Sequence, residues 1–125
     1  MDLLYFRLGA APYAIPLERV AEVAPAGPIH PVPLSPPAVL GLAERRGRPI
    51  AVIDLPRLLD REPAGGTVAH VVRLASPLDG AALWVPSEIS SGTGTPAEAG
   101  HASIDGRDHL VLDTEALVKR AAAPL

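Results

Sequence analysis

Proline is the feature that most limits what this chain can fold into, because fifteen prolines are spread over its 125 residues. Proline has no backbone N–H group and clashes with the preceding helical turn, so long helices are excluded from most of the chain. Between the prolines lie short runs rich in Val, Ile and Leu, which favour strands joined by tight turns. With 48% hydrophobic residues and a net charge of −3, the chain has enough apolar surface for a folded core. We therefore predict a mainly β protein.

Short strands are predicted along the whole chain. They lie at residues 4–8, 13–17, 39–44, 49–54, 68–74, 81–85, 102–104 and 109–112. Residues 17–23 fit either one helical turn or a strand, because apolar side chains recur at every third position while valine and glutamate also alternate. Asp54 and Asp113 each follow an apolar strand and precede a short helical segment, so both are predicted to be N-caps. The second cap begins a C-terminal helix at residues 114–122.

Three stretches interrupt the strand pattern. Residues 25–37 contain six prolines and are predicted to form a stiff, extended loop. Residues 60–66 are charged and glycine-rich, and we predict a subdomain boundary there within a single domain that spans residues 1–125. Residues 90–100, with the sequence SSGTGTPAEAG, are small and polar and are predicted to form a loop.

Composition and spacing argue against several classes of function. Cysteine is absent, so disulfides and thiolate sites are excluded and a cytoplasmic location is expected. One lysine and a negative net charge argue against nucleic-acid binding, and no apolar run reaches the roughly 18–20 residues needed for membrane insertion. The four histidines lack metal-ligand spacing, and residues 91–95 lack the lysine of a phosphate loop. We expect no cofactor, no metal and no enzymatic activity.

Residues 45–48, Arg-Arg-Gly-Arg, form a concentrated cationic cluster. The cluster is predicted to be a hairpin tip, since glycine admits the positive φ of a tight turn. Arg45 and Arg48 fit either a solvated tip or a functional role. Arg46, directly before the glycine, is the stronger candidate, because its guanidinium could bind a carboxylate of a neighbouring element or of a partner.

Short motifs follow one another in a characteristic order. They are Tyr13-Ala14-Ile15-Pro16, Val20-x-Glu22-Val23, Val32-Pro33, Val39-Leu40-Gly41-Leu42, Arg46-Gly47, Val52-Ile53-Asp54-Leu55, Val71-Val72, Ala82-Leu83-Trp84-Val85 and Leu110-Val111-Leu112-Asp113. This ordered set resembles the CheW-like family of chemotaxis coupling proteins. The similarity covers residues 4–118, and residues 41–55 carry most of it. It implies two small SH3-like five-stranded β-barrel subdomains with a short C-terminal helix.

The resemblance also implies a non-catalytic adaptor in bacterial signal transduction. Family members join the cytoplasmic tips of chemoreceptors to the regulatory domain of a histidine kinase. Carried over by position, the implied partner-binding residues are Val20, Glu22, Val23, Gly41 and Arg46. An exposed apolar groove suits docking of a partner, and we predict that it is formed by Val20, Val23, Leu40 and Leu42. About half of these four are expected in the core, because Val and Leu are commonly buried.

Two alternatives stay open. The stretch between Val85 and Ile104 is shorter than the family pattern, which leaves room for an incomplete second barrel. The chain would then be a degenerate CheW-like module of another motility pathway, which self-associates or occupies one partner without bridging two. The other alternative is a small enzyme or ligand-binding barrel with Asp54, His70 or His109 in a pocket.

Overall fold

Strands dominate the part of the chain that the computed structural model describes, residues 1–62 and 68–123. The first seven strands are β1 (Asp2–Leu8), β2 (Ala11–Pro16), β3 (Val20–Pro25), β4 (Val39–Arg45), β5 (Arg48–Asp54), β6 (His70–Leu74) and β7 (Ala81–Val85). The last four are β8 (Ser90–Thr93), β9 (Thr95–Pro96), β10 (His101–Ile104) and β11 (Arg107–Val111). The helices are α1 (Leu55–Leu58) and α2 (Thr114–Ala121), and a 3-10 turn covers Leu17–Arg19.

The strands form two sheets. The central sheet has the order β3-β6-β7-β5-β4, and the terminal sheet, built from both ends of the chain, has the order β8-β1-β2-β11-β10-β9. All neighbouring strands are antiparallel except the pairs β5–β7 and β2–β11. Residues 17–23, which fitted either a helical turn or a strand, form the 3-10 turn and then β3.

Side chains alternate between two faces of each sheet and thereby build three layers of core. In β7, Ala81, Leu83 and Val85 face an intersheet core, whereas Ala82 and Trp84 face the opposite side. This opposite side, the central-sheet core, receives apolar side chains from all five strands of its sheet. A smaller terminal-sheet core lies on the far side of the terminal sheet. The intersheet core therefore joins the two sheets while each sheet also curves around apolar side chains of its own.

Aspartate begins both helices, as predicted. An Asp54 carboxylate oxygen accepts a hydrogen bond from the Arg57 amide at 3.3 Å, and Asp113 accepts one from the Ala116 amide at 3.2 Å. Both carboxylates satisfy amides that have no partner within the first helical turn. The apolar side of α2 packs on the intersheet core, so the C-terminal helix closes one side of the molecule.

The predicted mainly β fold with a C-terminal helix is confirmed. The central sheet has the five strands expected of one barrel, and the terminal sheet has six. The two edge strands of the central sheet, β3 and β4, approach each other closely enough for an ion pair of 2.9 Å between Glu22 and Arg45. This curvature is compatible with an SH3-like barrel, and closure of both sheets into barrels stays a prediction.

The predicted loop at residues 90–100 was wrong, because this stretch contains β8 and β9. The backbone of β8 pairs with β1, and β9 pairs with β10. Gly94 lies between them, where a Cβ atom would be 2.7 Å from Leu3 Cδ1 and 3.1 Å from Ile104 Cγ1. Glycine fits between β8 and β9 because the backbone there passes close to the Leu3 and Ile104 side chains of the terminal-sheet core. The segment expected to be too short for strands therefore supplies both edges of the terminal sheet.

The predicted subdomain boundary near residues 60–66 lies largely outside the described residues, which exclude 63–67. The strands before and after it, β5 and β6, belong to the same central sheet. Arg61, just before the gap, donates a hydrogen bond from Nε to the Tyr13 hydroxyl oxygen at 2.8 Å. This contact ties the end of the α1 region to the terminal sheet.

Candidate partner-binding surface

Strand β3 carries three of the predicted partner-binding residues, which differ in exposure. Val20 packs against the intersheet core, and Glu22 is partly buried beside the central sheet. Val23 lies opposite Val72 on the edge strand and has 39% of its surface exposed. The register of β3 against β6 shifts between Val20 and Glu22, and such a bulge changes the direction of the strand. Val23 is therefore available to a partner, whereas Val20 mainly anchors the strand.

Strand β4 shows the same division. Leu40 packs against the central-sheet core, whereas Leu42 is 39% exposed. Two of the four aliphatic residues of the predicted groove, Val23 and Leu42, are thus exposed, and the other two are packed. They lie on the two edge strands that the Glu22–Arg45 ion pair holds together.

Gly41 is buried beneath the proline-rich segment. Its φ is +148°, and a Cβ atom there would overlap the His30 carbonyl oxygen. The close approach allows His30 and Leu42 to exchange two backbone hydrogen bonds, of 2.8 and 2.9 Å. Gly41 therefore positions residues 26–37 over β4, and only a residue without a Cβ fits this backbone conformation.

Glu22 is the centre of a small ionic network. One of its carboxylate oxygens accepts from Arg45 Nε at 3.1 Å and lies 2.9 Å from Arg45 Nη2, and Arg73 Nε lies 3.8 Å away. The hydrogen bond from Arg45 lowers the pKa of Glu22 below its usual value of 4.5; partial burial opposes this shift, and the charges of Arg45, Arg73 and Arg46 add to it. Glu22 is therefore held in its ionised form, and its carboxylate links β3 to Arg45 on β4 and to Arg73 on β6.

Arg46 stands at the tip of the β4–β5 hairpin. Its φ is +52° and that of Gly47 is +77°, the pattern of a two-residue turn that matches the twist of the flanking strands. Within the part of the chain that the structure describes, the Arg46 side chain has no hydrogen bond or ion pair. Arg46 is exposed and lines a cavity of about 210 Å³ that Glu22 also lines. The structure thus brings these two predicted site residues together.

Sequence reasoning missed the contribution of two arginines at this site. The sequence allows either a solvated or a functional role for Arg45, and it gives no prediction for Arg73. A signal for Arg73 was present, since it is a charged residue between Val72 and Leu74 in an otherwise apolar strand. A charge at such a position usually has a partner, and here the partner is Glu22.

The residues of the enzyme alternative do not converge. Asp54 caps α1, and the His70 Nδ1 atom lies 3.0 Å from the Ser87 carbonyl oxygen. His109 is 5% exposed and meets the Tyr5 ring edge to face at 5.6 Å. It lines a cavity of about 450 Å³ that neither Asp54 nor His70 lines. Among the residues described, no three histidine or acidic side chains form a group that could hold a metal ion.

A helix long and apolar enough to cross a membrane is not found among the described residues.

A family model described as the CheW-like domain matches residues 2–76. The chain is 32% identical over 74 residues to the "Probable chemotaxis protein CheW" of Rhizobium etli, and the match covers 59% of this chain and 48% of that protein. It is 31% identical over 74 residues to the "Chemotaxis protein CheW" of Rhizobium meliloti, with the same coverage. It is 37% identical over 63 residues to "Protein FrzA" of Myxococcus xanthus, covering 50% of this chain and 39% of that protein. The matched region therefore spans about half the length of the Rhizobium relatives or less.

A solved structure shares the fold over most of the chain. The crystal structure of the scaffolding protein TtCheW from Thermoanaerobacter tengcongensis matches with a TM-score of 0.76 and 19% identity, and it covers 90% of this chain and 88% of that one. The chain has two sheets around a shared core and a C-terminal helix. It is therefore a small, mainly β domain with the architecture of that scaffolding protein. Because the family model matches more than half of the residues, the chain belongs to the CheW-like domain family.

Proposed function

We propose that this chain is a non-catalytic, cytoplasmic adaptor in bacterial chemotaxis signalling. In this role it binds the cytoplasmic tip of a chemoreceptor and the regulatory domain of a histidine kinase at the same time. It needs no cofactor, nucleic acid or membrane insertion for that task. Membership of the CheW-like family is the observation that carries the proposal, and the names of two relatives, both chemotaxis proteins, support it.

The surface suited to this role combines exposed apolar side chains with a charged rim. Val23 and Leu42 project from the two edge strands, and Arg46 extends from the adjacent hairpin tip. Apolar residues at the centre of an interface supply most of the burial, and polar groups at its rim set orientation. A rigid surface also loses little conformational entropy on binding, and the Glu22–Arg45 ion pair holds the two strands in place.

Within this proposal the six predicted residues divide into two groups. Val23 and Arg46 contact partners directly. Val20, Leu40 and Gly41 act through packing, because they anchor β3, anchor β4 and position the proline-rich segment. Glu22 orients the Arg45 side chain and fixes the spacing of the two strands.

The test measures binding of purified receptor tips and of the kinase regulatory domain, first separately and then together, by surface plasmon resonance. Leu42→Ser should weaken binding of at least one partner by roughly tenfold or more, as removal of an interface anchor does. Leu110→Ser is the matched control, because Leu110 is 38% exposed on the terminal sheet while Leu42 is 39% exposed on the central sheet. Arg46→Ala should likewise abolish complex formation without unfolding the chain, and Arg120→Ala on α2 is its control.

Each outcome separates the possible roles. Simultaneous binding of both partners supports the adaptor. Binding of one partner only, or only of a second copy of the chain, replaces the adaptor with the degenerate module. Binding of neither partner refutes the proposal. If Arg46→Ala unfolds the chain, Arg46 is structural and its place among the contact residues is wrong.

A further inference from the structure

Four arginines surround the small cavity at the tip of the β4–β5 hairpin. We call it the arginine cavity; its charged lining consists of Arg45, Arg46, Arg48, Arg73, Glu22 and Asp79. Four of the eleven cationic side chains of the whole chain are thus gathered at one place in a protein whose net charge is −3. Four positive charges face two carboxylates, so the lining has an excess of two positive charges.

The carboxylates of Glu22 and Asp79 do not neutralise all of the positive charge of the four arginines. Glu22 is bound to Arg45 and lies near Arg73, which accounts for its negative charge. In the described ranges, 1–62 and 68–123, the side chains of Arg46, Arg48 and Asp79 take part in no ion pair or hydrogen bond. Two guanidinium groups are therefore free to bind a ligand beside a network that is already satisfied.

The geometry points to a small dianion as the ligand. We propose that the arginine cavity binds a phosphoryl group, either as inorganic phosphate or as a phosphorylated protein side chain. The cavity volume of about 210 Å³ is below the roughly 300–1,000 Å³ of sites for larger organic ligands, which argues against a whole nucleotide. A phosphoryl group carries about −1.5 to −2 charges near pH 7, which matches the excess of two positive charges better than a single carboxylate does.

The identity of the cationic residues supports the same ligand. All four are arginine, whose planar guanidinium offers paired donors that match phosphate oxygens, although the chain also contains a lysine elsewhere. The two-residue turn places Arg46 and Arg48 on either side of Gly47, and this compact hairpin tip keeps both side chains near the cavity. The site does not depend on the adaptor function, because no partner protein is needed to form it.

The experiment is a titration of the full ¹⁵N-labelled chain with sodium phosphate, followed by NMR at pH 7.5 and constant ionic strength. Saturable shifts are expected at residues 45–48, Glu22 and Arg73. The double variant Arg46→Gln/Arg48→Gln should weaken phosphate binding by roughly tenfold or more, because two charge-assisted contacts are removed. The control Arg57→Gln/Arg120→Gln removes the same charge from exposed helix positions and should change the affinity by about twofold or less.

Further arms identify the ligand and its source. Acetate should bind much more weakly than phosphate; equal binding would overturn the assignment to a dianion. A phosphoserine peptide that binds more tightly than free phosphate, with no binding of its unphosphorylated form, assigns the site to protein-bound phosphate; equal affinities assign it to the free ion. Shifts that do not saturate, or that weaken equally in both double variants, mean an adventitious ion only and refute the proposal. Urea unfolding of each variant verifies that its fold is intact.

Discussion

Replacement of Gly41 by alanine tests the most demanding packing contact in the molecule. The new Cβ atom would overlap the His30 carbonyl oxygen and lie 2.6 Å from its carbonyl carbon and 2.9 Å from Pro31 Cα. All three atoms belong to the backbone, so no side-chain rotation can relieve the overlap. Either the proline-rich segment must move away from β4, or the strand must leave its φ of +148°.

The expected loss in the free energy of unfolding is the sum of a backbone-strain cost and the cost of broken hydrogen bonds. Forcing a residue with a Cβ into a backbone region used almost only by glycine costs about 1–3 kcal/mol. Displacement of His30 breaks its two backbone hydrogen bonds to Leu42, and each such bond contributes about 1 kcal/mol. Gly41→Ala should therefore lower the free energy of unfolding by roughly 3–5 kcal/mol, a large part of the ~5–15 kcal/mol that holds a typical domain together.

Urea unfolding followed by circular dichroism measures this loss, with Gly27→Ala as the control. Gly27 lies in the same proline-rich region, but a Cβ atom there would meet nothing within 4 Å, and its φ is not positive. The control should change the free energy of unfolding by less than about 0.5 kcal/mol, as exposed substitutions usually do. If Gly41→Ala lowers stability no more than Gly27→Ala does, the close approach of His30 to β4 is wrong. Such a result would refute the packing role assigned to Gly41.

Three further predictions concern the network, the caps and the core. Because its folded-state pKa is lowered, Glu22 stabilises the fold above its ordinary pKa of 4.5, and this contribution is lost as pH falls through the lower folded value. The difference in urea midpoint between the parent chain and Glu22→Gln should thus be constant near neutral pH and disappear in acid; a difference independent of pH would contradict the ion pair. Asp113→Ala should cost about 0.5–2 kcal/mol through loss of the α2 cap, measured in the same way, and an unchanged midpoint would show that the cap contributes nothing. Leu83→Ala, in the intersheet core at 0% exposure, should cost about 2–5 kcal/mol, whereas Leu34→Ala, fully exposed, should stay within about 0.5 kcal/mol; similar losses for both would refute the assignment of the core.

Local sequence patterns were sufficient to predict most of the strands, both helix caps and the hairpin turn. The apolar runs at β1, β5 and β7 predict strands because a short apolar run bounded by turn residues is recognised from its own residues alone. Asp54 and Asp113 predict caps for the same reason, since an N-cap bonds to an amide three residues away. The Arg46-Gly47 turn is also a local feature, because glycine at the second position admits its positive φ.

The candidate partner-binding surface could not be predicted in full from the sequence, because contacts between distant parts of the chain form it. Glu22 and Arg45 are 23 residues apart, and only the curvature of the central sheet brings β3 to β4. Contacts with other strands also decided that Val20 and Leu40 are packed while Val23 and Leu42 are exposed, although all four are apolar. Gly41 was predicted to bind a partner from the family resemblance, and the passage of His30 above it adds a packing role that the sequence alone does not show.

The amino-acid sequence by itself determined the mainly β class, the positions of most strands, the two helix caps and the hairpin that carries Arg46. Tertiary structure alone decided that β8 and β9 are strands, because their polar residues pair with β1 and β10 and have no alternation of their own. It also decided that Arg45, Arg46, Arg48 and Arg73 share one cavity. The physical reason is the range of the interactions: turns and caps are satisfied within a few residues, whereas an edge strand or a charge cluster exists only after distant segments have packed together.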